Sequence, residues 1–255
     1  MVHHFYDICT MLLSLFKKKT QPDLSFIAVD MHSHLLPGID DGLQDIEKTI
    51  SFMQDLHAVG YKKFICTPHI LNGVHNNSPE TILPVLDNVR ALLKERNIPI
   101  LVEAAAEYMV DDSFEELVKS DRPLLTFGRN NILIEMSYMA PSPNLYQVIF
   151  DLKMKGLNPI LAHPERYNYY HMDFEKYIEI KGRDIFFQVN LLSLSGYYGK
   201  QVKKTAEKLI EKGMVEFIGT DMHHDNHLMA FKQLTSSKYL YDLLKNKPLL
   251  NTTLL

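Results

Sequence analysis

Short apolar runs alternate along this chain with longer stretches in which apolar side chains recur every three or four residues. The first run, Phe26-Ile27-Ala28-Val29, leads into Asp30-Met31-His32-Ser33-His34, and the spacing predicts a strand over residues 26–34. Ile46, Ile50, Met53 and Leu56 then mark one face of a helix over 45–59, closed by Gly60. The alternation continues with strands expected over 63–69, 98–108, 131–136, 158–163, 184–191 and 215–220. Helices are expected over 79–96, 112–119, 144–155, 174–180, 200–212 and 228–244. Ser78 before Pro79 is a helix start: the serine caps the open N–H groups and the proline lacks the donor that would be wasted there.

Strands that alternate with helices pair in parallel through crossovers, and apolar, β-branched strands suit a sheet covered by helices. Roughly seven such units in 255 residues predict one α/β domain with a closed or nearly closed barrel. A doubly wound open sheet shares the alternation and is the competing architecture. Nothing resembling a linker divides residues 25–255. Residues 1–24 stand apart: 5–16 are rather apolar and Lys17-Lys18-Lys19 follow, a stretch too short to span a bilayer. They read as an N-terminal leader or docking helix. Leu12, Leu13, Leu15 and Phe16 beside the lysines also suit weak contact with an anionic membrane surface.

Composition narrows the function. A net charge of −4 with no basic stripe argues against nucleic acid as a partner. Cys9 and Cys66 are far apart and form no CxxC, so neither a disulfide framework nor a thiolate metal site is expected, and a reducing, cytoplasmic setting follows.

The polar residues collect at strand ends. His32 and His34, two apart in a strand, point to one face and can converge on one metal ion. His69 ends Cys66-Thr67-Pro68-His69, Glu107 ends Ala104-Ala105-Ala106-Glu107, and Glu135 ends Ile132-Leu133-Ile134-Glu135. His163 follows Leu161-Ala162, Asp221 and His223 form a second alternating pair, and Asp41 lies in the loop after the first strand. In a barrel these positions share one rim, where active sites sit. A lone histidine there is usually an ordinary polar group, whereas buried carboxylates after apolar runs need a partner or a metal. The convergence of nine such residues points to a metal site. His57, His75, His171, His224 and His227 fall outside the pattern, and Glu103 reads as a packing or salt-bridge residue.

Asp30-x-His32-x-His34 with Asp40-Asp41-Gly42, Thr67-Pro68-His69, Ala162-His163-Pro164-Glu165-Arg166 and Asp221-Met222-His223 resembles the polymerase-and-histidinol-phosphatase (PHP) superfamily. More narrowly, it resembles the bacterial manganese-dependent tyrosine-protein phosphatases of capsular and exopolysaccharide loci. The resemblance runs from about residue 26 to 244 and implies a distorted (β/α)7 TIM-like barrel. It also implies three divalent metal ions, Mn²⁺ most often, with Fe or Zn as alternatives. One ion would be held by His32, His34, Glu107 and Asp221, a second by Glu107, Glu135 and His163, and a third by Asp41, His69 and His223. Stretches 70–75 and 224–227 depart from some members in carrying no Arg or Lys.

The chemistry expected of such a site is in-line attack by a metal-bridging hydroxide on a phosphoryl group. Arg166 is placed to clamp the phosphate, with a salt bridge to Glu165 as its structural alternative. Arg166, Asp221 and His223 form the expected catalytic set, and Cys66 has no role in it. The implied substrate is a phosphotyrosyl protein, the tail of a bacterial tyrosine kinase of polysaccharide synthesis. The alternatives are a small phosphorylated metabolite such as histidinol phosphate and a non-catalytic, metal-stabilised scaffold. Tyr108, Tyr138, Tyr167, Tyr169 and Tyr170 are candidates to line the cleft.

Overall fold

The computed structural model describes residues 23–255, so the expected leader lies almost wholly outside the described residues. Nine short strands follow: β1 (Val29–Asp30), β2 (Lys63–Cys66), β3 (His69–Ile70), β4 (Leu101–Ala104), β5 (Glu107–Met109), β6 (Asn131–Glu135), β7 (Asn158–Ala162), β8 (Phe186–Asn190) and β9 (Phe217–Gly219). Every strand pairing is parallel. One sheet has the order β1-β2-β4 and the other β3-β5-β6-β7-β8-β9.

These nine strands are the seven predicted, with the second and third each broken in two. β2 and β3 are separated by Thr67-Pro68, where proline removes a ladder donor. β4 and β5 are separated by Ala105-Ala106. Backbone bonds carry the pairing across both breaks, from Ala105 N–H to Cys66 O (2.8 Å) and from Glu107 N–H to Pro68 O (3.1 Å). A parallel bridge joins Ser33 to Met222. His34 N–H donates to Met222 O (3.0 Å) and Asp221 N–H to His32 O (2.8 Å), so the first strand meets the seventh. This is the distorted (β/α)7 barrel expected.

Eight helices lie between and after the strands: α1 (Ile46–His57), α2 (Pro79–Glu95), α3 (Asp112–Lys119), α4 (Leu145–Met154), α5 (Glu175–Lys181), α6 (Lys200–Glu211), α7 (Asp225–Thr235) and α8 (Lys238–Leu244). Asp45 caps α1, its Oδ1 accepting from the N–H groups of Glu47 and Lys48, and Asp111 caps α3 in the same way through Phe114 N–H. Their apolar faces, such as Ile50, Met53 and Leu56 of α1, pack with Phe64, Ile132, Ile134 and Phe187 outside the barrel. A second cluster that includes Val29, Met31, Ile65, Ala105, Leu133, Ile160 and Phe217 fills the inside beneath the rim.

Two expectations need correction. The first strand is not continuous from residue 26. Ala28 sits at φ 58° and the N–H groups of Ile27 and Ala28 both turn back to Leu24 O, so the apolar run buries itself as a turn before β1 begins. The last helix is two helices, because Ser237 Oγ accepts from Tyr239 N–H (3.2 Å) and starts α8 afresh.

Candidate metal centre

All nine expected ligands come together at the C-terminal end of the barrel. Glu107, the first residue of β5, lies at their centre. Its Oε2 is 3.2 Å from His32 Nε2, 3.3 Å from His34 Nε2 and 3.2 Å from His69 Nδ1, and its Oε1 is 3.0 Å from His163 Nε2. Asp221 Oδ1 is 3.4 Å from His32 Nε2 and 3.5 Å from His34 Nε2. Glu135 Oε1 is 3.1 Å from His69 Nδ1, and Asp41 Oδ1 is 3.6 Å from His69 Nε2 and 3.5 Å from His223 Nε2. Four overlapping groups have ligand atoms within 4.8 Å of one another: His34, Asp41, His69 and His223; His32, His34 and Asp221; His32, Glu107 and His163; His69, Glu107 and Glu135.

Local backbone geometry aims these groups. Met31 packs in the interior cluster, yet its neighbour His32 faces the rim, so the chain changes phase by one residue where β1 ends. His163 (φ 33°) and Asp221 (φ 50°) hold left-handed conformations just past β7 and β9. Such strain in non-glycine residues tends to persist where the surroundings fix a functional side chain. Gly219 is required for a different reason: a Cβ there would stand 2.7 Å from His32 Cβ and 2.8 Å from Gln188 Nε2.

A hydrogen-bond relay sets the histidine tautomers. The Asp221 carboxylate can only accept, so Asn190 turns its Nδ2 toward Asp221 Oδ2 (2.6 Å). Asn190 Oδ1 therefore accepts from Gln188 Nε2 (2.8 Å), which leaves Gln188 Oε1 to accept from His32 Nδ1 (2.7 Å). His34 Nδ1 likewise donates to Asp40 Oδ2 (2.7 Å) and His223 Nδ1 to Asp221 O (2.9 Å). In each case the proton sits on Nδ1 and the Nε2 lone pair is turned toward the cluster. His32 Nε2 and His34 Nε2 then face each other at 3.3 Å, which requires a proton or a cation between them. Glu107 Oε2 and His69 Nδ1 are buried without a hydrogen bond, as a metal-binding set would leave them. Imidazole and carboxylate donors without thiolate suit Mn²⁺, Fe²⁺ or Zn²⁺.

Without ions, protons take the same places. Burial opposes a charge on His32, but the Glu107 and Asp221 carboxylates outweigh it and push its pKa up to about 9. Burial likewise works against the charges of Glu107 and Asp221, yet His32 and the other imidazoles hold both well below the usual carboxylate range. A histidine raised in the folded state stabilises fully below its ordinary 6.5, and that stability is lost as pH rises through about 9. The chelated protein should therefore melt several degrees lower at pH 9 than at pH 6.5, whereas the metal-loaded protein, with neutral imidazoles, should not. Thermal melts at both pH values check this.

Over the ligands lies a cavity of about 430 Å³, whose wall includes Arg166, Tyr138 and Tyr198. Arg166 does not pair with Glu165. Its Nη1 donates to Asp221 Oδ2 (2.9 Å), and its guanidinium carbon stands 4.6 Å from the Tyr138 ring centre and 4.2 Å from that of Tyr198. Glu165 turns away to accept from Asn190 N–H and the Ser193 hydroxyl. Of the tyrosines proposed for the cleft, only Tyr138 lines this cavity; Tyr167 is buried beneath it, and the Tyr169 hydroxyl donates to Ser137 O. His224 caps α7, and burial holds neighbouring His227 down to about 4, so it stays neutral against Asp221 O. Glu103 pairs with Lys63 (2.8 Å), as its position in the strand suggested.

Sequence reasoning missed Gln188, Asn190, Asp40 and Tyr198. Gln188 and Asn190 did carry a signal, since two amides share one face at the end of a buried strand. Asp30 ties the first strand to the seventh through Thr220 N–H (2.9 Å) and its hydroxyl (2.6 Å), and burial pushes its carboxyl up to about 6 despite those bonds.

Fold and site together define a (β/α) barrel with a cluster of candidate metal ligands on its C-terminal rim. A model of the family described as "Capsular polysaccharide synthesis, CpsB/CapC" matches residues 28–240, and the chain belongs to that family. It is 29% identical over 196 residues to the tyrosine-protein phosphatase YwqE of Bacillus subtilis (strain 168), covering 77% of each chain. It is 25% identical over 225 residues to the tyrosine-protein phosphatase CpsB of Streptococcus pneumoniae, covering 86% of this chain and 90% of that one. A solved chain from the crystallographic work on YwqE from B. subtilis and CpsB from S. pneumoniae, described as unique metal-dependent tyrosine phosphatases, superposes with a TM-score of 0.73. It is 28% identical, covering 89% of this chain and 95% of that one. The histidinol phosphate phosphatase of Lactococcus lactis shares the fold, at a TM-score of 0.50 and 14% identity, covering 83% of this chain and 92% of that one.

Proposed function

We propose that this protein is a metal-dependent protein-tyrosine phosphatase acting on a phosphotyrosyl protein of capsular or exopolysaccharide synthesis, its specific partner being the tail of a tyrosine kinase. The observation that carries the reading is the convergence of five histidines and three further carboxylates around Glu107 beneath a cavity that also holds Arg166. Tyrosine-protein phosphatase relatives that align with most of the chain supply the substrate class.

Three divalent ions fit the donor set, Mn²⁺ foremost. His32, His34, Glu107 and Asp221 would hold one, Glu107, Glu135 and His163 a second, and Asp41, His69 and His223 a third. His69 Nδ1, 3.1 Å from Glu135, stands close enough to serve the second position as well. The ions supply positive charge against which a phosphate dianion can bind and a water can be activated. The chain's own groups do the rest. Arg166 binds the phosphoryl oxygens, while Asp221 holds the guanidinium through Oδ2 and faces the ligand histidines through Oδ1. His223, fixed by its bond to Asp221 O, lines the cavity beside Asp41.

Among the described residues no thiol suits this chemistry, because burial pushes the Cys66 thiol up to about 12. Chelation should abolish hydrolysis of a phosphotyrosyl peptide and Mn²⁺ should restore it, whereas iodoacetamide should change the rate less than about twofold. Activity that survives chelation but not alkylation would sink the proposal. Among the described residues no helix is long and apolar enough to cross a membrane.

A further inference from the structure

Three tyrosine hydroxyls are buried without a hydrogen-bond partner among the described residues: Tyr61, Tyr177 and Tyr198. Tyr61 and Tyr177 belong to the apolar core between helices and barrel. Only Tyr198 lines the metal cavity. A buried hydroxyl left unpaired is unfavourable, and at a cavity wall the natural explanation is a ligand that completes it.

Its surroundings say what kind of ligand. The Tyr198 ring lies against the Arg166 guanidinium, as does that of Tyr138, and the contact favours the cation and restricts where it can stand. Only Nη1 of Arg166 has a partner among the described residues, Asp221, so the other N–H groups of the fork are open to an oxygen-rich anion. The Tyr138 hydroxyl differs in having a neighbour within the site, His163 Nε2 at 3.3 Å.

We propose that Tyr198 is a substrate-binding residue of this site: its hydroxyl donates to the phosphoryl group held by Arg166, and its ring, with that of Tyr138, positions the guanidinium. The assignment rests on the phosphatase reading above. It separates two contributions that one side chain makes, and two variants resolve them. Tyr198→Phe keeps the ring and removes the donor, whereas Tyr198→Leu removes both.

The probe is inorganic phosphate, titrated by calorimetry into the Mn²⁺-loaded protein. Tyr198→Phe is expected to weaken phosphate binding about tenfold. Its manganese content should be unchanged and its Tm equal to or above that of the wild type, since no bond within the fold is lost. Tyr198→Leu should weaken binding further, to about a hundredfold, as Arg166 loses a ring that steadies it. Wild-type phosphate affinity in Tyr198→Phe would overturn the assignment. So would a lower Tm or lost manganese in that variant, which would place the hydroxyl's partner inside the fold. A wild-type protein that neither binds phosphate nor hydrolyses any phosphomonoester would overturn the phosphatase reading itself, and this assignment with it.

Discussion

Glu107→Gln is expected to empty the metal centre and reduce kcat/KM for a phosphotyrosyl substrate by roughly 10³-fold or more, equivalent to about 4 kcal/mol of transition-state stabilisation. The substitution keeps the shape of the side chain and removes one charge. That charge is the one four imidazoles share: His32, His34 and His69 meet Oε2, and His163 meets Oε1. An amide turns N–H donors toward at least one of those nitrogens, and it leaves the buried centre one negative charge short of what the cations need. The same change removes the main carboxylate that raises His32, so the fall in Tm of the chelated protein between pH 6.5 and 9 should shrink in the variant. Metal analysis beside steady-state kinetics checks the prediction. Full metal occupancy with less than about a tenfold loss of activity would show that Glu107 is not the hub of the site.

The second large effect belongs to Arg166. Arg166→Ala is expected to lower kcat/KM about 10²-fold, mainly through substrate binding, while metal content stays near that of the wild type. The reason lies in the two sides of Asp221. Its Oδ2 loses the Arg166 bond but keeps Asn190 Nδ2, and its Oδ1 still faces His32 and His34. Arg166→Lys should recover part of the loss, because the charge returns without the planar fork that grips two phosphoryl oxygens. Were Arg166→Ala to lose its metals, the arginine would be a support for Asp221 and not a phosphate clamp.

Much of this was legible because strand ends advertise themselves. A histidine or carboxylate at the end of a mostly apolar run interrupts a stretch that would otherwise be buried, and each of the seven strands but the sixth leads into one. Their order along the chain was enough for parallel pairing through crossovers, while a doubly wound sheet stayed open beside the barrel. What stayed hidden depended on contacts across the fold. The breaks at Pro68 and Ala105-Ala106 cost the ladder little, since neighbouring carbonyls reach across them. Gln188 and Asn190 are neutral amides whose role exists only because Asp221 fixes their orientation from another strand. Arg166 lies beside Glu165 in sequence, but the left-handed turn at His163 and the long side chain deliver it to Asp221 instead. Tyr198 comes from the segment after a 3₁₀ turn at Leu191–Ser195, where no periodicity marks it.

The central claim is that the rim serves phosphotyrosine in a protein. Its most direct test is kcat/KM of the Mn²⁺-loaded protein for a phosphotyrosyl peptide against histidinol phosphate, measured under the same conditions. The account predicts that the peptide is preferred by about 10²-fold or more. Preference for the metabolite by a similar factor would contradict it, as would the absence of turnover of either compound at saturating Mn²⁺.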